Sequence, residues 1–374
     1  GLCLVLGLAG IWRSRRPSPA APAPVAEPVP PAAQPAQTLG QELDGLHKLT
    51  RVDEICLEVG RSLIGLVDPR QGAPLLERVT FLRRHVAGQF GYVVPAVLFR
   101  DNLALRMDEY ALRIHGREVA RGRVKPQGLL AFGPEDRLLQ LEGERAFEPT
   151  YGQEGVWISS QQLEEARKLN LLVLDPVSLI ATHMTETFRT HAGELLTFNA
   201  AVELLKQPVF TALQAELSYR GIGRVAIWKV LRSLLRQQVS IRDLQRILEG
   251  LLEMAEEHTP HESLVEFARL AVRDSIVEEF CGGELGKPPQ ELVLWRVPAE
   301  LLEHLGEASS QQAEMMEEIT RVSERMKNAG HQPLLLVTPE QRPALQEVIY
   351  CVPDTRALSL AEIPDWVQVR FFHS

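Results

Sequence analysis

A short apolar run that ends in basic residues and then meets a proline-rich stretch restricts how this chain can fold. Residues 2–12 are apolar, and Arg13, Arg15 and Arg16 follow at once. Basic residues directly after an apolar segment are typical of the cytoplasmic end of a membrane span. Because a bilayer crossing needs roughly 20 apolar residues, we expect residues 1–16 to be the end of a truncated transmembrane helix. The alternative is a secretory signal peptide, but its charges precede the apolar run.

The next segment, residues 17–45, is expected to be a linker without a hydrophobic core. Eight of the chain's 25 prolines lie between Pro17 and Pro35, interspersed mainly with alanine. Proline has no amide hydrogen to donate and alanine buries little surface, so such a stretch stays extended. At ~3.1 Å per residue, residues 17–38 span up to about 70 Å. We expect this linker to hold the rest of the chain away from the bilayer.

The composition of the whole chain is that of a globular protein with an acidic surface. Of the 374 residues, 45% are hydrophobic and 24% are charged, which suits about two to three domains. The formal net charge is -9, so the average surface repels nucleic acid. The cysteines form no CxxC pair, and neither a structural zinc site nor a disulfide framework is therefore expected. These cysteines are Cys3, Cys56, Cys281 and Cys351.

Motifs for catalysis or cofactor binding are not found in the sequence. His258 and His261 are the closest histidine pair, but Pro260 between them removes the helical spacing of a zinc motif. Residues 282–287 resemble a phosphate loop but lack the Ser or Thr that binds magnesium, and residues 221–226 match a dinucleotide fingerprint without a preceding strand. We therefore expect no enzyme activity, no cofactor and no metal.

Alternating and helical patterns follow one another from residue 46 onward. Ile55, Leu57 and Val59 alternate as in a strand, and apolar residues then recur at helical spacing from Leu75 to Phe90, up to a helix-ending glycine at Gly91. Further strands are predicted at residues 93–99, 110–114, 119–124 and 171–174, the first of them buried. These patterns predict a small sheet with a helix packed on it.

Strand patterns vanish after Thr190 and return after Asp274. Between them lie two amphipathic helical stripes, and Ser240 with Asp243 fits a capping box at a sharp corner between two helices. Beyond this helical part, strands are predicted at residues 292–297, 334–337 and 357–360, and helices at residues 299–305 and 310–327. A second α/β unit therefore ends the chain.

Together these patterns predict an α+β fold with several subdomains. A small α/β first subdomain is interrupted by an inserted β-rich subdomain, and a helical third subdomain and an α/β fourth subdomain follow. The expected boundaries are residues 46–126 and 176–195 for the first subdomain, 127–175 for the insertion, 196–274 for the helical subdomain and 275–374 for the C-terminal subdomain.

A basic patch in the helical part contrasts with the acidic whole. Seven Lys and Arg residues stand against only two acidic residues between Arg220 and Glu249. A helix-turn-helix protein that binds DNA is therefore one alternative function. The acidic net charge and the expected membrane tether count against it, and amphipathic helices commonly carry arginine on their solvent side. We expect no nucleic-acid partner.

Several short segments, in order along the chain, carry a family resemblance. The main one is residues 239–249, Val-Ser-Ile-Arg-Asp-Leu-Gln-Arg-Ile-Leu-Glu. Others lie at residues 57–60, 66–68, 76–78, 82–83, 100–102, 181–183, 342–345 and 358–362. On these segments the chain resembles the large cytoplasmic domain of the export-gate proteins of flagellar and virulence type III secretion systems. The resemblance runs from about residue 49 to residue 362.

This resemblance implies a docking platform rather than an enzyme. Members form a nine-membered ring under the export channel and dock chaperone-bound cargo before secretion. The implied partners are export chaperones with their secretion substrates and other export-apparatus components, including the associated ATPase complex. The implied location is the bacterial inner membrane, multi-pass, with this region facing the cytoplasm. Flagellar and injectisome members share every motif used, and a membrane-tethered scaffold that no longer secretes is a further alternative.

The resemblance also implies a docking site in the cleft between the first subdomain and its insertion. In the family this cleft surrounds an Asp-Pro-x-Phe-Gly motif and the Thr of Ala-Thr-His. The matching residues here are Glu148, Tyr151 and Thr182, which are thus the expected partner-binding residues. The ring of Tyr151 is expected to be a rigid apolar anchor, and the carboxylate of Glu148 to set orientation. Residues 153–155, Gln-Glu-Gly, replace apolar residues of the family, so the edge of this cleft is expected to be more polar and more hydrated. The alternative is that Tyr151 fills a gap in the core.

Overall fold

The computed structural model describes residues 52–281, 291–303, 305, 310–352 and 354–373. The expected membrane-helix end and linker, residues 1–16 and 17–45, lie outside this part, and so do the phosphate-loop-like residues 282–287. In the described part, no helix has the length and apolar character that a membrane crossing requires. The residues from Val52 onward form one compact unit.

The first sheet combines parallel and antiparallel pairing. Its strands are β1 (Ile55–Val59), β2 (Val97–Asp101), β3 (Glu109–Ile114) and β4 (Arg117–Arg123). They are ordered β2-β1-β3-β4, with β1 parallel to β2 and antiparallel to β3. Helices α1 (Ile64–Val67) and α2 (Pro74–Phe90) lie between β1 and β2 in the chain.

Helix α2 follows the predicted apolar spacing and ends where the glycine predicts. Its buried residues recur three or four positions apart, which forms one stripe along the helix. Gly91 ends the helix with φ 81°, and its N–H donates to the carbonyl oxygen of Ala87 (3.0 Å). Glycine reaches this left-handed conformation without strain. The buried residues of α2 are Leu75, Val79, Leu82, Val86 and Phe90.

The predicted buried strand at residues 93–99 is wrong in both its start and its burial. Strand β2 begins at Val97, and Leu98 is 39% exposed. Pro95 has no N–H for a ladder, and β2 is an edge strand that pairs only with β1. An apolar run therefore did not identify a central strand here.

A second sheet, termed the inserted sheet, is antiparallel throughout. Its strands are β5 (Leu129–Phe132), β6 (Glu144–Phe147), β7 (Glu154–Ile158) and β8 (Leu172–Leu174), in the order β6-β7-β5-β8. Two short helices, α3 (Glu135–Leu138) and α4 (Leu163–Lys168), complete it. The sheet has its own small core of buried side chains, formed by Ala131, Leu138, Leu141, Val156, Ile158, Ala166 and Leu171.

Helices alone occupy the described chain from residue 176 to residue 281. This helical region buries most of its apolar residues in one continuous core that also includes the first sheet. Its helices are α5 (Pro176–Thr190), α6 (Ala192–Leu195), α7 (Phe198–Leu205), α8 (Thr211–Tyr219), α9 (Arg224–Arg236), α10 (Leu244–Met254), α11 (His261–Ala271) and α12 (Arg273–Phe280).

The predicted capping box of Ser240 and Asp243 is wrong. Asp243 itself caps α10, since its carboxylate accepts the N–H of Arg246 (3.2 Å). Ser240 instead donates its hydroxyl to the carbonyl oxygen of Gln89 at the end of α2 (2.7 Å). The corner between α9 and α10 is therefore fixed to the first sheet's helix, and α10 begins only after it.

A third sheet, the C-terminal sheet, is parallel. Its elements in chain order are β9 (Leu292–Arg296), α13 (Ala299–Leu302), α14 (Ser310–Asn328), β10 (Leu334–Val337), α15 (Arg342–Val348), β11 (Arg356–Ser359) and β12 (Val369–Phe371). The strands are ordered β11-β10-β9-β12. One side of this sheet joins the core shared with the helical region, and the other packs a separate core around Ile319 and Val322 of α14.

The described chain is therefore a mixed α/β fold with several sheets and helices, as the coarse pattern predicts. The subdomain boundaries given above stay a prediction.

Candidate functional site

The hairpin between β6 and β7 contains both Glu148 and Tyr151. The N–H of Glu148 donates to the carbonyl oxygen of Gln153 (2.8 Å), and the N–H of Gly152 donates to the carbonyl oxygen of Glu148 (3.0 Å). Gly152 has φ 68°, which glycine adopts without strain. The turn is thus closed by its own backbone.

The carboxylate of Glu148 points into this hairpin. The residue is only 5% exposed, and its two oxygens accept the N–H groups of Thr150 (2.6 Å) and Tyr151 (2.7 Å). Hydrogen bonds from backbone amides to a carboxylate are among the stronger ones in proteins. Where we expected this carboxylate to orient a partner, the structure shows it holding the hairpin, so its described bonds set the position of Tyr151.

Tyr151 projects from the hairpin beside α5. The residue is 63% exposed, so the alternative that it fills a core gap is wrong. Partial burial raises the pKa of its hydroxyl, and the negative charge of Glu186 on α5 raises it further, although Arg189 opposes this. The ring therefore stays accessible while its hydroxyl lies within the electrostatic reach of α5.

Thr182 lies on α5 and is half-buried. The later threonines of α5 each donate their hydroxyl to the carbonyl oxygen four residues back. Among the described residues, the hydroxyl of Thr182 makes no such bond. It is therefore available to an external group. The later threonines are Thr185, Thr187 and Thr190.

A buried hydrogen bond fixes the α5 turn that follows Thr182. The hydroxyl of Tyr110 on β3 lies 2.7 Å from Nδ1 of His183. Burial lowers the pKa of His183, although the charges of Glu148 and Glu186 oppose this. Burial also raises the pKa of Tyr110. Both groups are therefore neutral near pH 7, which lets the phenol donate to the imidazole.

The three expected residues lie on two elements that are distant in sequence, Glu148 and Tyr151 on the β6–β7 hairpin and Thr182 on α5. The charge of Glu148 acts on both Tyr110 and His183, so this carboxylate is within electrostatic reach of the residue that follows Thr182. We refer to this region, formed by the β6–β7 hairpin and α5 around Thr182, as the docking cleft, after the site that the family resemblance implies. It includes an exposed aromatic ring and an available hydroxyl.

Sequence reasoning missed the supporting residues Tyr110 and His183. A Cβ atom on Gly122 of β4 would come within 2.5 Å of the Tyr110 hydroxyl oxygen, so a glycine there makes room for the ring. The signal available in the sequence was the Ala-Thr-His triplet, in which only the threonine was chosen. The histidine is the member that contacts β3.

The hairpin also exposes a second aromatic ring. Phe147, at the end of β6, is 72% exposed. Gln153 and Glu154 are exposed as well, and Glu154 pairs with Arg145 (2.6 Å). Aromatic rings with a polar rim are typical of surfaces that bind protein partners.

Two arginines of the basic patch in the helical region bind backbone carbonyl oxygens of the protein itself. Arg232 donates to the carbonyl oxygen of Gly193 (2.9 Å) and stacks on Trp228. Arg220 donates to the carbonyl oxygen of Ala255 (3.2 Å) just past α10. These two arginines therefore have contacts within the protein. Within the described ranges, no group of three or more His, Cys, Asp or Glu residues is arranged to hold a metal.

Comparison with known proteins adds a family and a fold. The model of the FHIPEP family matches residues 2–368. The chain is 32% identical over 345 residues to the "Flagellar biosynthesis protein FlhA" of Bacillus subtilis, which covers 87% of this chain and 50% of that protein. The chain thus spans about half the length of the curated relatives it matches.

Solved structures share the fold at low identity. The Chlamydia pneumoniae CdsV protein has a TM-score of 0.70 at 19% identity, covering 86% of this chain and 97% of that one. A chain of the CdsV and CdsO protein complex gives the same TM-score at 20% identity, with the same coverage. The nonameric EPEC SctV-C has a TM-score of 0.64 at 16% identity, covering 86% of this chain and 98% of that one.

Proposed function

The chain belongs to the FHIPEP family, and on that basis we propose that it is the part of a type III export gate that docks secretion substrates held by their chaperones. It hands these substrates to a membrane channel and does not alter them chemically. The proposal includes a place in the bacterial inner membrane, reached through the N-terminal span, with residues 52–373 facing the cytoplasm.

One observation carries this proposal: the docking cleft presents Tyr151 on a hairpin stiffened from within. Two backbone N–H groups of the hairpin bind the buried carboxylate of Glu148, so the aromatic ring is held in place before a partner arrives. An anchor that is ordered in advance loses little conformational entropy on binding. The available hydroxyl of Thr182 adds a polar contact at the foot of the cleft. This arrangement suits recognition of a folded partner.

Assembly of this chain is part of the same proposal. A nonameric structural relative and a relative in complex with CdsO support a nine-membered ring that contacts other export components, including the ATPase complex. We propose these partners for this chain together with the export chaperones and their substrates.

The test replaces the anchor and a matched control. Tyr151→Asp places a charge where an apolar ring is needed, and it should abolish capture of a chaperone–substrate complex from the same organism in isothermal titration. Tyr219 is a tyrosine that is 90% exposed on α8, and Tyr219→Asp should bind as the original chain does. Both variants should keep a free energy of unfolding within about 0.5 kcal/mol, since exposed substitutions cost little.

Equal loss of binding in both variants, or loss of fold in the first, would contradict the role of Tyr151. If the original chain captures no export chaperone from its own organism, with or without substrate, the docking function itself is wrong. A graded variant refines the result. Glu148→Gln keeps one acceptor oxygen for the hairpin while Glu148→Ala keeps none, so binding should weaken in that order.

A further inference from the structure

A cleft of about 370 Å³ lies where α5, α12 and the C-terminal sheet meet. Its charged and titratable lining comes from all of these elements, so it is a meeting point of regions that are distant in sequence. These residues are Arg189, Glu279, Lys327, His331, Asp354 and Arg356. We refer to it as the junction cleft.

Part of this charge is already paired. Asp354 accepts from Arg189 (3.2 Å) and from Lys327 (3.2 Å). Arg189 also binds Glu186 (2.6 Å) on its own helix. The carboxylate of Asp354 therefore binds two cations at once and has little capacity to accept further hydrogen bonds.

Arg356 and Glu279 differ from these residues in having no ion pair. The guanidinium of Arg356 donates to the carbonyl oxygen of its neighbour Thr355 (2.9 Å), and no carboxylate of the described residues lies within ion-pair distance of it. The carboxyl of Glu279 makes neither a hydrogen bond nor an ion pair in the described part of the chain. The guanidinium of Arg356 and the carboxyl of Glu279 therefore line the same cleft without forming an ion pair with each other.

The electrostatics agree with this geometry. Burial lowers the pKa of Arg356 to about 10, and the positive charge of Arg189 contributes to the shift. Neighbouring protein atoms likewise raise the pKa of Glu279 by partial desolvation, although Arg356 and Arg189 oppose this and the residue is exposed on the surface of α12. Both shifts disfavour the charged forms, as expected for groups that lose part of their water without gaining a close partner.

We propose that the junction cleft is an oxyanion site, in which the guanidinium of Arg356 binds a carboxylate or phosphate group next to the positive charges of Arg189 and Lys327. A guanidinium matches the two oxygens of such a group with parallel N–H donors. Tyr151 of the docking cleft lies within electrostatic reach of Arg189 and Asp354, but it does not line the junction cleft, and the existence of the oxyanion site does not depend on the proposed function.

Glu279 gives the site a pH dependence. The charged and titratable groups that face its carboxyl across the cleft are those of the lining set named above. When an oxyanion binds, Glu279 is better accommodated as the neutral acid, which donates its O–H instead of repelling the ligand. Binding therefore takes up a proton and strengthens as the pH falls.

An occupied site would add a bridge between α5 and the C-terminal sheet. The ligand would contact the end of α5 on one side and the C-terminal sheet on the other. Because a ligand that binds only the folded form stabilises it, the oxyanion should also raise the melting temperature.

The experiment titrates the full chain with sodium sulfate, inorganic phosphate and glutarate in separate calorimetric runs at pH 6 and pH 8. Sulfate keeps its charge across this range, so its pH dependence reports on the protein. Arg356→Gln should weaken binding roughly tenfold or more, as expected for loss of a charged hydrogen-bond donor. Arg321→Gln is the matched control, since Arg321 is exposed on α14 and pairs with Glu318, and its affinity should be unchanged.

Glu279→Gln should act in the opposite direction, with tighter binding at pH 8 and a smaller difference between the two pH values. This second variant tests the proposal even if Arg356→Gln fails to fold. Binding of sulfate or phosphate indicates a tetrahedral ligand, and binding of glutarate alone indicates a carboxylate; either supports the site. No binding of any of the three, equal affinity in Arg356→Gln, or unchanged or weaker binding in Glu279→Gln would overturn it.

Discussion

Two of the charged contacts between the C-terminal region and the rest of the described chain, which we call joints, use similar residues in opposite surroundings. The first, the buried joint, pairs Arg269 with Glu362 (2.6 Å) at side-chain exposures of 3% and 1%. In the second, the open joint, Asp354 pairs with Arg189 and Lys327 at exposures of 24–50%. Water reaches the second joint and is excluded from the first.

The buried joint is a complete hydrogen-bond network. Oε1 of Gln237 accepts from Arg269 (3.0 Å) and from Arg342 (3.1 Å). Arg342 is fully buried and also binds Glu266 (2.6 Å). Glu362 additionally accepts the N–H of Ser359. Networks of this kind tolerate no missing member, because any charge left behind is buried and uncompensated.

The two joints should differ in how easily they are broken. Breaking the buried joint leaves charges in a medium that cannot solvate them, whereas the open joint can exchange its protein partners for water and salt ions. We infer that the C-terminal sheet stays with the helical region and separates more readily from α5. The following variants test this contrast, from the largest expected effect to the smallest.

Removing one member of the buried joint should cost the most. Arg269→Met leaves the carboxylate of Glu362 buried without its cation, and the free energy of unfolding should fall by about 3–5 kcal/mol, measured by urea denaturation. The double variant Arg269→Met with Glu362→Gln removes both charges and should recover much of the loss. Exposed ion pairs contribute less than about 1 kcal/mol. If Arg269→Met lowers the free energy of unfolding by less than this, the two joints do not differ in the way we infer.

The close packing of Gly91 against the helical region involves no ion pair, and its loss should have an intermediate effect on stability. Gly91 has a positive φ, and a Cβ atom there would lie 2.4 Å from the backbone of Arg242 in the helical region. Gly91→Ala should destabilise the chain by about 1–3 kcal/mol, as overpacking does. Gly88 faces open space on α2, so Gly88→Ala is the matched control and should stabilise by about 0.5–1 kcal/mol. Similar melting temperatures for the two variants would show that α2 and the helical region are not tightly joined.

The open joint should contribute least. Asp354→Asn should lower the free energy of unfolding by less than about 1 kcal/mol, because its carboxylate is half exposed. The loss should shrink in 1 M salt, where charges are screened within about 3 Å. A cost that is large and insensitive to salt would show that this joint is as closed to water as the other.

The same variant predicts a pH effect with a definite sign. Burial raises the pKa of Asp354, but hydrogen bonds and charges from Lys327 and Arg189 outweigh this and lower it below 3.8. A carboxyl with a lowered folded pKa contributes stability that is present above its unfolded value and is lost as the pH falls through the folded value. The difference between the original chain and Asp354→Asn should therefore disappear in acid. A difference that grows as the pH falls below 3.8 would contradict this assignment.

Much of the secondary structure was predictable, because its causes are local. Apolar spacing and Gly91 defined α2, and the alternation of Tyr110, Leu112 and Ile114 placed β3. The failures share one cause. Strand β2 lies at an edge rather than in the centre of its sheet, and Ser240 binds a carbonyl oxygen 151 residues away, so neither property was visible in a short window.

The candidate site divides in the same way. The family motif predicts Glu148, Tyr151 and Thr182 as partner-binding residues, and the structure leaves Tyr151 exposed and the hydroxyl of Thr182 without a hydrogen bond among the described residues. The motif did not show that Glu148 is turned inward, nor that His183 binds Tyr110 from a strand 73 residues earlier. The same sequence would allow this carboxylate to face a partner or to accept hydrogen bonds from its own hairpin. The backbone conformation of the hairpin determines which of the two occurs.

The periodicity of the helices and strands and the family of the chain can be read from the order of neighbouring residues. Which charges are buried and which remain exposed to solvent depends on the tertiary structure. Arg189 and Asp354 are 165 residues apart, and Arg269 and Glu362 are 93 apart. Their surroundings depend on how whole sheets and helices pack, because the dielectric around a charge is a property of the assembled fold.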